Sequence, residues 1–462
     1  MTRYDIAVLG GGPGGYVAAI RGSQLGLSVC IIEKEKLGGV CLNWGCIPTK
    51  ALIKNAEVYN LIKNSEQYGI NIDKVSVDFK KNVERSRAVS KNLSKGIEFL
   101  MKKNRIRHIV GKGYLKTKNS INIDYNGKTQ SVEAGKIIIA TGARPKILPG
   151  LNADAKGVLT AKEAMLLENP PKDIIIIGSG AIGIEFAYYF NEFGTTVYIV
   201  EMMNRILPNE DLEVSEEIER QYKESGIKII KNRKVLKIEP MRKNTKVHLD
   251  YENSKETITA EKVLLAIGVT GNVENLGLQK LGIKTDNGAI TIDEYNRTSE
   301  SNIYAIGDVS GPPWLAHVAS AQGHTAVDHS FGMNVIPIDY TNIPNCTYCQ
   351  PQIGSLGLTE ERAMGLGKKI AVGKFSFKSS GRALATNNKR GFVKLIFDTK
   401  YGELLGAHIV GAEATEMIAE LGIAKALEAT WDDLAMTIHA HPTLSEAIME
   451  AAMDARGKSI HQ

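Results

Sequence analysis

The sequence predicts an α/β protein that contains two doubly wound parallel sheets, followed by a smaller α+β domain. Two observations support this fold class. A strand–turn–helix–strand pattern near the N-terminus recurs in the middle of the chain, and the last part mixes strands and helices without that order. The length of 462 residues allows roughly three domains with an ample buried core. The 45 glycines are a high number, which suits nucleotide-binding turns.

The first copy of the pattern runs from residue 5 to Glu33. An apolar strand over 5–9 leads into a glycine-rich turn, a helix over about 16–25 and a strand over 28–32. The glycines with the G-x-G-x-x-G spacing are Gly10, Gly12 and Gly15. In a Rossmann-like unit these glycines allow a tight turn, a close approach to pyrophosphate and close helix–strand packing. The helix N-terminus faces the phosphates, and the acidic residue accepts hydrogen bonds from ribose hydroxyls.

The second copy runs from the strand at 173–177 to Glu201. Its fingerprint glycines are Gly178, Gly180 and Gly183, and a helix and a strand over 196–200 follow them. The acidic residue stands at the same offset from the first glycine in both copies, from 10 to 33 and from 178 to 201. One fingerprint is a weak signal, but two in this full context predict that the chain binds two dinucleotides.

Glu201 also predicts which nicotinamide dinucleotide is used. A carboxylate at this position accepts a hydrogen bond from a free 2′-hydroxyl and repels a 2′-phosphate, which favours NAD over NADP. Arg205 could in principle meet a phosphate. It has no second arginine beside it, however, and is assigned to the turn before residues 206–208.

Cys41 and Cys46 follow the first fingerprint closely, which indicates electron transfer between sulfur and a bound dinucleotide. Residues five apart on a regular helix are separated by about 7.5 Å along the axis. A disulfide needs Cα atoms roughly 4.4–6.8 Å apart, so the backbone between the cysteines must be distorted, and Gly45 permits this. Pro48 fits the first turn of a helix whose positive end favours a thiolate at Cys46. The alternative is two buried, inert thiols.

Three further apolar runs that end in turns predict strands that complete the sheets, over 136–145, 263–268 and 304–309. Asp308 lies at the last of these turns and also fits a helix cap. Near the C-terminus, His441 and Glu446 stand on either side of a proline turn. They could form an imidazole–carboxylate pair that takes a proton from a thiol. By spacing alone, a capping or core histidine is the better interpretation.

Composition excludes several other classes of protein. The net charge is only +6, and the basic stretch over 80–107 has the apolar spacing of a solvated helix face, so no nucleic-acid site is expected. No apolar run reaches the ~18 residues of a membrane helix. A strand begins almost at the first residue, and five cysteines are too few for a secreted disulfide scaffold, so a cytoplasmic location is expected. No metal site is expected.

Taken in order, these motifs resemble the flavoprotein disulfide reductases, and among them the dihydrolipoyl dehydrogenases. The resemblance covers essentially the whole chain and rests on residues 10–15, 39–50, 141–145, 178–201, 307–308 and 441–446. It implies four segments: an FAD-binding domain over 1–150, an NAD-binding domain over 151–272, a central segment over 273–340 that completes the FAD site, and a dimerisation domain over 341–462.

The resemblance also implies roles for single residues. Cys41 would be the interchange thiol that reacts with substrate, and Cys46 the thiol against the flavin. His441 would be the base and Glu446 its orienting carboxylate, both contributed across a dimer interface. The implied FAD contacts are Gly10, Gly12, Gly15, Glu33, Lys50, Gly113, Thr141, Gly142, Asp308 and Ala316. The implied NAD contacts are Gly178, Gly180, Gly183, Glu185, Glu201 and Gly268, with Glu185 pairing with Lys50 to tune the flavin.

The implied activity is oxidation of protein-bound dihydrolipoamide, with hydride passed through FAD to NAD⁺. The implied partners are a second copy of the chain and either a lipoyl-bearing acyltransferase or the carrier protein of a glycine cleavage system. Two alternatives stay open: another FAD-dependent NAD(P)H disulfide reductase, and a mainly structural subunit docked in a multienzyme complex. Glutathione reductases carry basic residues where 201–203 stand, and mercuric reductases carry a C-terminal cysteine pair that this chain lacks.

The chain departs from the family pattern at three places. Trp44 stands where family members often have a smaller apolar residue, which bears on the shape of the disulfide loop. The stretch 266–271 differs from the family's frequent version, which bears on cofactor contacts there. Cys346 and Cys349 have the spacing of a redox motif, but without a second such pair or a nearby histidine for zinc they are interpreted as structural. Cys30 is interpreted as a core residue.

Overall fold

The computed structural model describes residues 2–147, 151, 155–251 and 254–461. Within these ranges, no helix combines the length and the apolar character needed to cross a membrane. The first part of the chain contains β1 (Thr2–Leu9), α1 (Pro13–Gln24), β2 (Val29–Glu33), α2 (Gly39–Trp44), α3 (Cys46–Lys63), α4 (Phe79–Lys103), β3 (Arg107–Val110), β4 (Lys112–Thr117), β5 (Ser120–Tyr125), β6 (Lys128–Ile139) and β7 (Ala143–Pro145).

Strands β1 to β6 form the first sheet, in the order β3-β2-β1-β6-β5-β4. β3, β2, β1 and β6 are parallel, whereas β6, β5 and β4 form an antiparallel meander. The inner half of β1 is fully buried because helices and loops cover both faces of its parallel part. The predicted return of 136–145 to this sheet is confirmed, since β6 pairs with β1.

The middle of the chain contains β8 (Val158–Leu159), α5 (Ala161–Ala164), β9 (Asp173–Ile177), α6 (Ala181–Glu192), β10 (Thr196–Val200), α7 (Leu212–Glu224), β11 (Lys228–Ile230), β12 (Lys234–Pro240), β13 (Thr245–Tyr251), β14 (Ser254–Ala260), β15 (Lys262–Leu265) and β16 (Val269–Gly271). The second sheet is parallel, in the order β11-β10-β9-β15-β8, and repeats the plan of the first. β12, β13 and β14 form a separate antiparallel sheet, and β16 pairs with β7 where the two parts of the chain meet.

The third part contains β17 (Thr285–Asp286), β18 (Ala289–Ile290), β19 (Ile303–Ala305) and α8 (Ala316–Ser330). β19 pairs with β6 and returns the chain to the first sheet, which confirms the predicted strand over 304–309 apart from its ends. α8 packs along α1 and brings its N-terminus beside the first glycine turn.

The last part contains β20 (Asn345–Thr347), β21 (Gln352–Gly357), α9 (Glu360–Gly365), β22 (Ile370–Ser376), α10 (Gly381–Ala385), β23 (Phe392–Asp398), β24 (Leu404–Gly411), α11 (Ala414–Ala426), α12 (Trp431–Met436) and α13 (Glu446–Asp454). An antiparallel sheet in the order β20-β21-β24-β23-β22 carries α11 and α13, as expected for an α+β domain.

A buried ion cluster joins the second sheet's unit to the last domain. The Nζ of Lys394, on β23, lies 2.9 Å from Asp211, 2.8 Å from Glu213 and 2.6 Å from Glu360. Its side chain is only 1% exposed, so the three carboxylates replace the water it loses. These contacts fix the segment that follows Glu201 against the domain that carries His441.

Candidate active site

The two glycine turns have nearly the same geometry. A Cβ on Gly10 would lie 2.1 Å from the carbonyl oxygen of Ala140, and one on Gly178 would lie 2.4 Å from that of Ala266. Both glycines have positive φ, +112° and +99°. The third glycine of each turn would clash with the carbonyl oxygen of the first, at 2.0 Å for Gly15 and 2.1 Å for Gly183. These turns therefore accept only glycine, as a dinucleotide fingerprint requires.

The middle glycines face open space. A Cβ on Gly180 would meet no heavy atom within 4 Å, and one on Gly12 would meet only the Cα of Gly39, at 3.9 Å. Gly12 and Gly180 are the N-caps of α1 and α6, and neither helix has a side-chain cap. Each turn thus presents unfilled space and uncapped backbone N–H groups to a phosphate, which fits FAD at the first turn and NAD at the second.

The two acidic residues are held beside these turns in the same way. Glu33 Oε2 accepts a hydrogen bond from the N–H of Gly11 at 2.7 Å, and Glu201 Oε2 accepts one from the N–H of Ser179 at 2.9 Å. Both carboxylates are buried. Each keeps lone pairs that can accept further hydrogen bonds from ribose hydroxyls.

Arg205 is not available to a phosphate, in line with its assignment to a turn. Its guanidinium forms a bidentate pair with Glu361 on α9, at 3.0 and 2.8 Å, and also donates to the carbonyl of Pro208. The residue that could have favoured NADP is therefore neutralised by the last domain.

The cysteine pair lies at a break between two helices. α2 ends at Trp44 and α3 begins at Cys46, so only Gly45 separates them, with φ −143° and ψ −115°. The predicted distortion at Gly45 is confirmed. α3 begins at Cys46, two residues before Pro48. Pro48 is tolerated there because residues in the first turn of a helix do not need an N–H donor. Both cysteines are free thiols in this structure.

The two thiols differ in acidity. The Cys41 thiol donates a hydrogen bond to Cys46, and this bond, with the charge of Lys50 and a backbone N–H, lowers the pKa of Cys46 to about 7 despite its burial. The same hydrogen bond, with burial, raises the pKa of Cys41. When the reduced pair loses its first proton, the negative charge therefore lies on Cys46.

Lys50 lies one turn after Cys46 on α3 and is paired across the fold. Its Nζ lies 2.8 and 2.9 Å from the two carboxylate oxygens of Glu185 on α6. Glu185 also accepts the N–H of Tyr348, whose ring lies under the Lys50 ammonium at 4.6 Å. The Glu185 side chain is 5% exposed, so this pair is partly withdrawn from water. The structure thus joins Lys50 and Glu185, a pairing that only the family resemblance had implied.

The remaining predicted cofactor contacts surround the first turn and its junction with the second sheet. Thr141 and Gly142 follow β6 and are tied to Asn272: the Thr141 carbonyl accepts from Asn272 Nδ2 at 2.9 Å, and the Gly142 carbonyl accepts from the Asn272 N–H at 2.9 Å. Gly268 has a φ of +95° and open space where a Cβ would stand. Gly113 lies on β4, and a Cβ at this position would lie 2.5 Å from the Leu9 side chain. The glycine therefore allows β4 to pack closely against Leu9.

Asp308 lies in a short 3₁₀ turn, with Ile306 as its N-cap, and Ala316 is the first residue of α8. Burial raises the pKa of Asp308. Gln322, on α8, accepts a hydrogen bond from the N–H of Gly307 at 2.6 Å and holds this turn in place. Sequence reasoning missed Gln322, Asn272 and Tyr348, because a lone polar or aromatic residue in a helix or loop carries no spacing signal.

His441 and Glu446 form the imidazole–carboxylate pair. His441 Nδ1 lies 2.8 Å from Glu446 Oε1, and Glu446 Oε2 accepts the N–H of Thr443 at 2.8 Å. Partial burial raises the pKa of Glu446, but the Thr443 N–H and His441 more than offset this, so the pKa is lowered overall. Among the described residues, no hydrogen bond or ion pair joins this pair to the cysteines of the same chain, and the His441 side chain is 78% exposed.

The second cysteine motif lacks the features of a reactive pair. Cys349 is fully buried, and burial raises its pKa to about 12. Burial likewise raises the pKa of Cys346 to about 11, and its Sγ faces the carbonyl of Thr415. Burial raises the pKa of Cys30 to about 12. These geometries fit the structural interpretation of all three thiols.

The chain matches family models over most of its length. Residues 4–323 match the pyridine nucleotide-disulphide oxidoreductase model, and residues 343–452 match the dimerisation domain of the same family. The chain is 46% identical to a dihydrolipoyl dehydrogenase from Rhizobium etli, covering 99% of each chain. It is also 46% identical to a dihydrolipoyl dehydrogenase from Bacillus subtilis, covering 100% of this chain and 99% of that one.

Solved structures show the same fold. LpdA from Mycobacterium tuberculosis superposes with a TM-score of 0.91 at 27% identity, covering 98% of this chain and 99% of that one. A Cu(II) complex of RclA, an HOCl-induced flavoprotein disulfide reductase from Escherichia coli, gives 0.88 at 26% identity, covering 98% and 99%. Together with the two glycine turns and the cysteine pair, these matches establish that the chain belongs to the pyridine nucleotide-disulphide oxidoreductase family.

Proposed function

We propose that the chain is a dihydrolipoyl dehydrogenase, which oxidises protein-bound dihydrolipoamide and passes the electrons to NAD⁺. The observation that carries this proposal is the Cys41–Cys46 pair, with its charge held on Cys46 beside Lys50. When bound, FAD supplies the electron acceptor between the thiol pair and the nicotinamide. Full-length relatives that bear this name support the choice of substrate.

The unequal acidity of the two thiols supports the roles that we propose for them. In the oxidised pair, a substrate thiolate attacks the Sγ of Cys41, the Cys41–Cys46 bond breaks, and Cys46 leaves as a thiolate. Attack on Cys41, with Cys46 as the leaving group, is favoured because the thiol of lower pKa is the better leaving group. The second substrate thiol then attacks the mixed disulfide and releases lipoamide, which leaves Cys41 as a thiol and both electrons on the pair.

His441 takes the proton that the substrate thiol must lose. Its Nδ1 faces Glu446, which orients the ring and leaves Nε2 free to accept a proton. The exposure of the His441 side chain in its own chain supports the proposal that it acts as the base beside the cysteines of a second copy. Exposed apolar side chains nearby, Met436 at 80% and Ile438 at 96%, fit burial in a homodimer interface.

Around the cofactors, we propose the roles that the motifs suggest. Gly10, Gly12 and Gly15 receive the FAD pyrophosphate, with Glu33 on the ribose, and Gly178, Gly180 and Gly183 receive the NAD pyrophosphate, with Glu201 on the ribose. Lys50, Thr141, Gly142, Asp308 and Ala316 line the flavin side. The domain division at 150, 272 and 340 is supported by the sheets: the second sheet lies within 151–272, the last antiparallel sheet lies within 341–462, and β19 of the central segment joins the first sheet. Residue 150 itself lies outside the described residues.

The proposed partner is a lipoyl-bearing acyltransferase or glycine cleavage carrier, because the substrate dithiol must be delivered on another protein. The proposed location is the cytoplasm, where a reducing milieu keeps the thiols of Cys30, Cys346 and Cys349 free. Copurification with a lipoyl-bearing protein tests the first point.

Substrate choice is tested in the reverse direction. With NADH as the donor, lipoamide is expected to be reduced faster than oxidised glutathione or the disulfide of coenzyme A. A faster rate with either of those disulfides would assign the chain to another reductase of the family and overturn the proposed substrate.

Nicotinamide choice provides a further prediction. The native enzyme is expected to prefer NAD over NADP by at least about tenfold in kcat/KM, because a 2′-phosphate would meet the buried carboxylate of Glu201. Glu201→Ala should narrow this preference. Glu219→Gln, which removes a carboxylate paired with Lys223 and Lys231 on the same domain, is the matched control and should leave it unchanged. A native preference for NADP would contradict the role of Glu201.

A further inference from the structure

Trp44 lies between the two cysteines, and two cations from other parts of the fold lie over its indole ring. The Arg87 guanidinium carbon is 4.3 Å from the ring centroid, and the Lys162 Nζ is 4.4 Å from it. Arg87 is on α4, whereas Lys162 is on α5, beside the second sheet. Each cation is within the range at which the indole quadrupole attracts it.

The surroundings of the ring strengthen these contacts. Trp44 packs against a buried cluster that includes Leu52 and Ile53 on α3 and Met165 after α5. Arg87 is half-buried, and this burial lowers its pKa, so its guanidinium has lost part of its hydration. A cation–π contact gains strength when the cation is desolvated. The ring is therefore fixed from three elements of the fold.

The position of Trp44 is coupled directly to the cysteine pair. Cys41 and Trp44 share α2, Cys46 begins α3, and Gly45 is the hinge between the two helices. Asn43, the neighbour of Trp44 on α2, donates to the carbonyl of Leu37 at 3.2 Å and accepts from Ser94 Oγ, on α4, at 3.0 Å. α2, the helix that carries Cys41, is thus anchored to the rest of the fold through Asn43 and Trp44.

We propose that Trp44, held by Arg87 and Lys162, is a positioning residue that sets the redox equilibrium of the Cys41–Cys46 pair by keeping α2 against α3. The proposal rests on the redox role of this pair under the proposed function. When the pair is oxidised, one Sγ–Sγ bond forms, and two electrons and two protons pass to the oxidant. This closure is intramolecular, so its equilibrium constant rises with the effective concentration of one thiol at the other. A looser α2 therefore makes the disulfide easier to reduce.

The test measures that equilibrium in the FAD-loaded dimer. Enzyme is equilibrated with buffers of reduced and oxidised dithiothreitol, quenched in acid, unfolded and alkylated, and the two additional labels on the reduced pair are counted by mass. Trp44→Leu is expected to shift the equilibrium about tenfold toward the dithiol, which corresponds to about 30 mV for a two-electron couple.

Two further variants test whether the contacts of Arg87 and Lys162 with the Trp44 ring matter, beyond the loss of an aromatic side chain. Arg87→Gln and Lys162→Gln should each shift the equilibrium about threefold in the same direction, and combining Arg87→Gln with Trp44→Leu should add little to Trp44→Leu alone. Lys228→Gln is the matched control, since it removes a cation 4.6 Å from the Tyr198 ring in the second sheet's unit. It should leave the equilibrium unchanged.

The outcomes distinguish this proposal from the proposed function. If the native pair cannot be titrated by dithiothreitol at all, the redox role fails and the proposal fails with it. If the native pair titrates but Arg87→Gln and Lys162→Gln behave as Lys228→Gln does, only the proposed positioning by Trp44, Arg87 and Lys162 is overturned. Arg87→Gln and Lys162→Gln test the proposal even if Trp44→Leu does not fold, because both variants keep the indole of Trp44 in its apolar cluster.

Discussion

Replacing His441 with Gln is expected to slow the oxidation of dihydrolipoamide by about 10²- to 10⁴-fold, the range that general base catalysis contributes. Gln keeps much of the size of the side chain but cannot take the proton of the substrate thiol. The unfolding temperature should change little, because the Gln amide can still donate a hydrogen bond to Glu446 Oε1, the atom that His441 Nδ1 faces. Steady-state rates with saturating NAD⁺ and thermal unfolding of the same preparation measure both effects.

A second histidine–carboxylate pair provides the control. His248 Nε2 lies 2.8 Å from Glu239 Oε2 in the β12–β13 hairpin, so His248→Gln removes the same kind of contact in a separate antiparallel sheet. It should leave the rate unchanged. A His441→Gln enzyme that retained the native rate would remove His441 from the mechanism.

Mixed dimers test whether His441 acts on the partner chain. If each site combines cysteines from one chain with His441 from the other, a dimer of one His441→Gln chain and one Cys41→Ser chain keeps one intact site. Random exchange of the two inactive proteins should then restore about a quarter of the native rate, because half of the dimers are mixed and each has one of two sites. No recovery, despite exchange verified by mass, would place the complete site within one chain.

Cys41→Ser and Cys46→Ser are each expected to reduce turnover to the background rate, because a hydroxyl cannot form the mixed disulfide or the internal one. The two variants should differ in their thiolate. Reduced Cys41→Ser keeps a hydroxyl donor beside Cys46, so its thiolate should appear as the pH rises through about 7, the pKa of Cys46 in the native pair. Cys46→Ser should show no thiolate near neutral pH. Ultraviolet absorbance of the reduced proteins over a pH series measures this difference.

Cys30→Ala serves as the control for the cysteine variants. Cys30 is fully buried on β2, and burial raises its pKa to about 12, so its removal should leave both turnover and the neutral-pH thiolate intact. A neutral-pH thiolate that survived in Cys46→Ser and vanished in Cys41→Ser would reverse the roles assigned to the two sulfurs.

Local features of the sequence predicted most of the first two sheets. The strand before Gly178 is a run of isoleucines, which only a strand covered on both faces buries completely, and the structure buries all four. Gly10 and Gly178 need positive φ and a close neighbouring carbonyl, which are demands that one residue and its spacing reveal. The break at Gly45 was predictable because disulfide geometry and helix geometry are incompatible over five residues.

The contacts that complete the site depend on residues far apart in the chain. Arg205 meets Glu361 across 156 positions, and Lys50 meets Glu185 across 135. Glu185 is a helix residue without a motif of its own, so its pairing with Lys50 could be expected only from family resemblance. The cations over Trp44 gave no sequence signal, since lysine and arginine are common on exposed helix faces. The first helix, predicted over about 16–25, runs from Pro13 to Gln24, because end turns depend on tertiary contacts.

The most direct test of the account is NADH formation from dihydrolipoamide and NAD⁺ by purified, FAD-loaded enzyme. Sustained turnover is expected, with one NADH formed for each dihydrolipoamide oxidised, because the Cys41–Cys46 pair accepts two electrons and passes both on. Enzyme whose flavin is reduced by NADH, but which forms no NADH from dihydrolipoamide, would keep the fold and both cofactors and would contradict the proposed substrate.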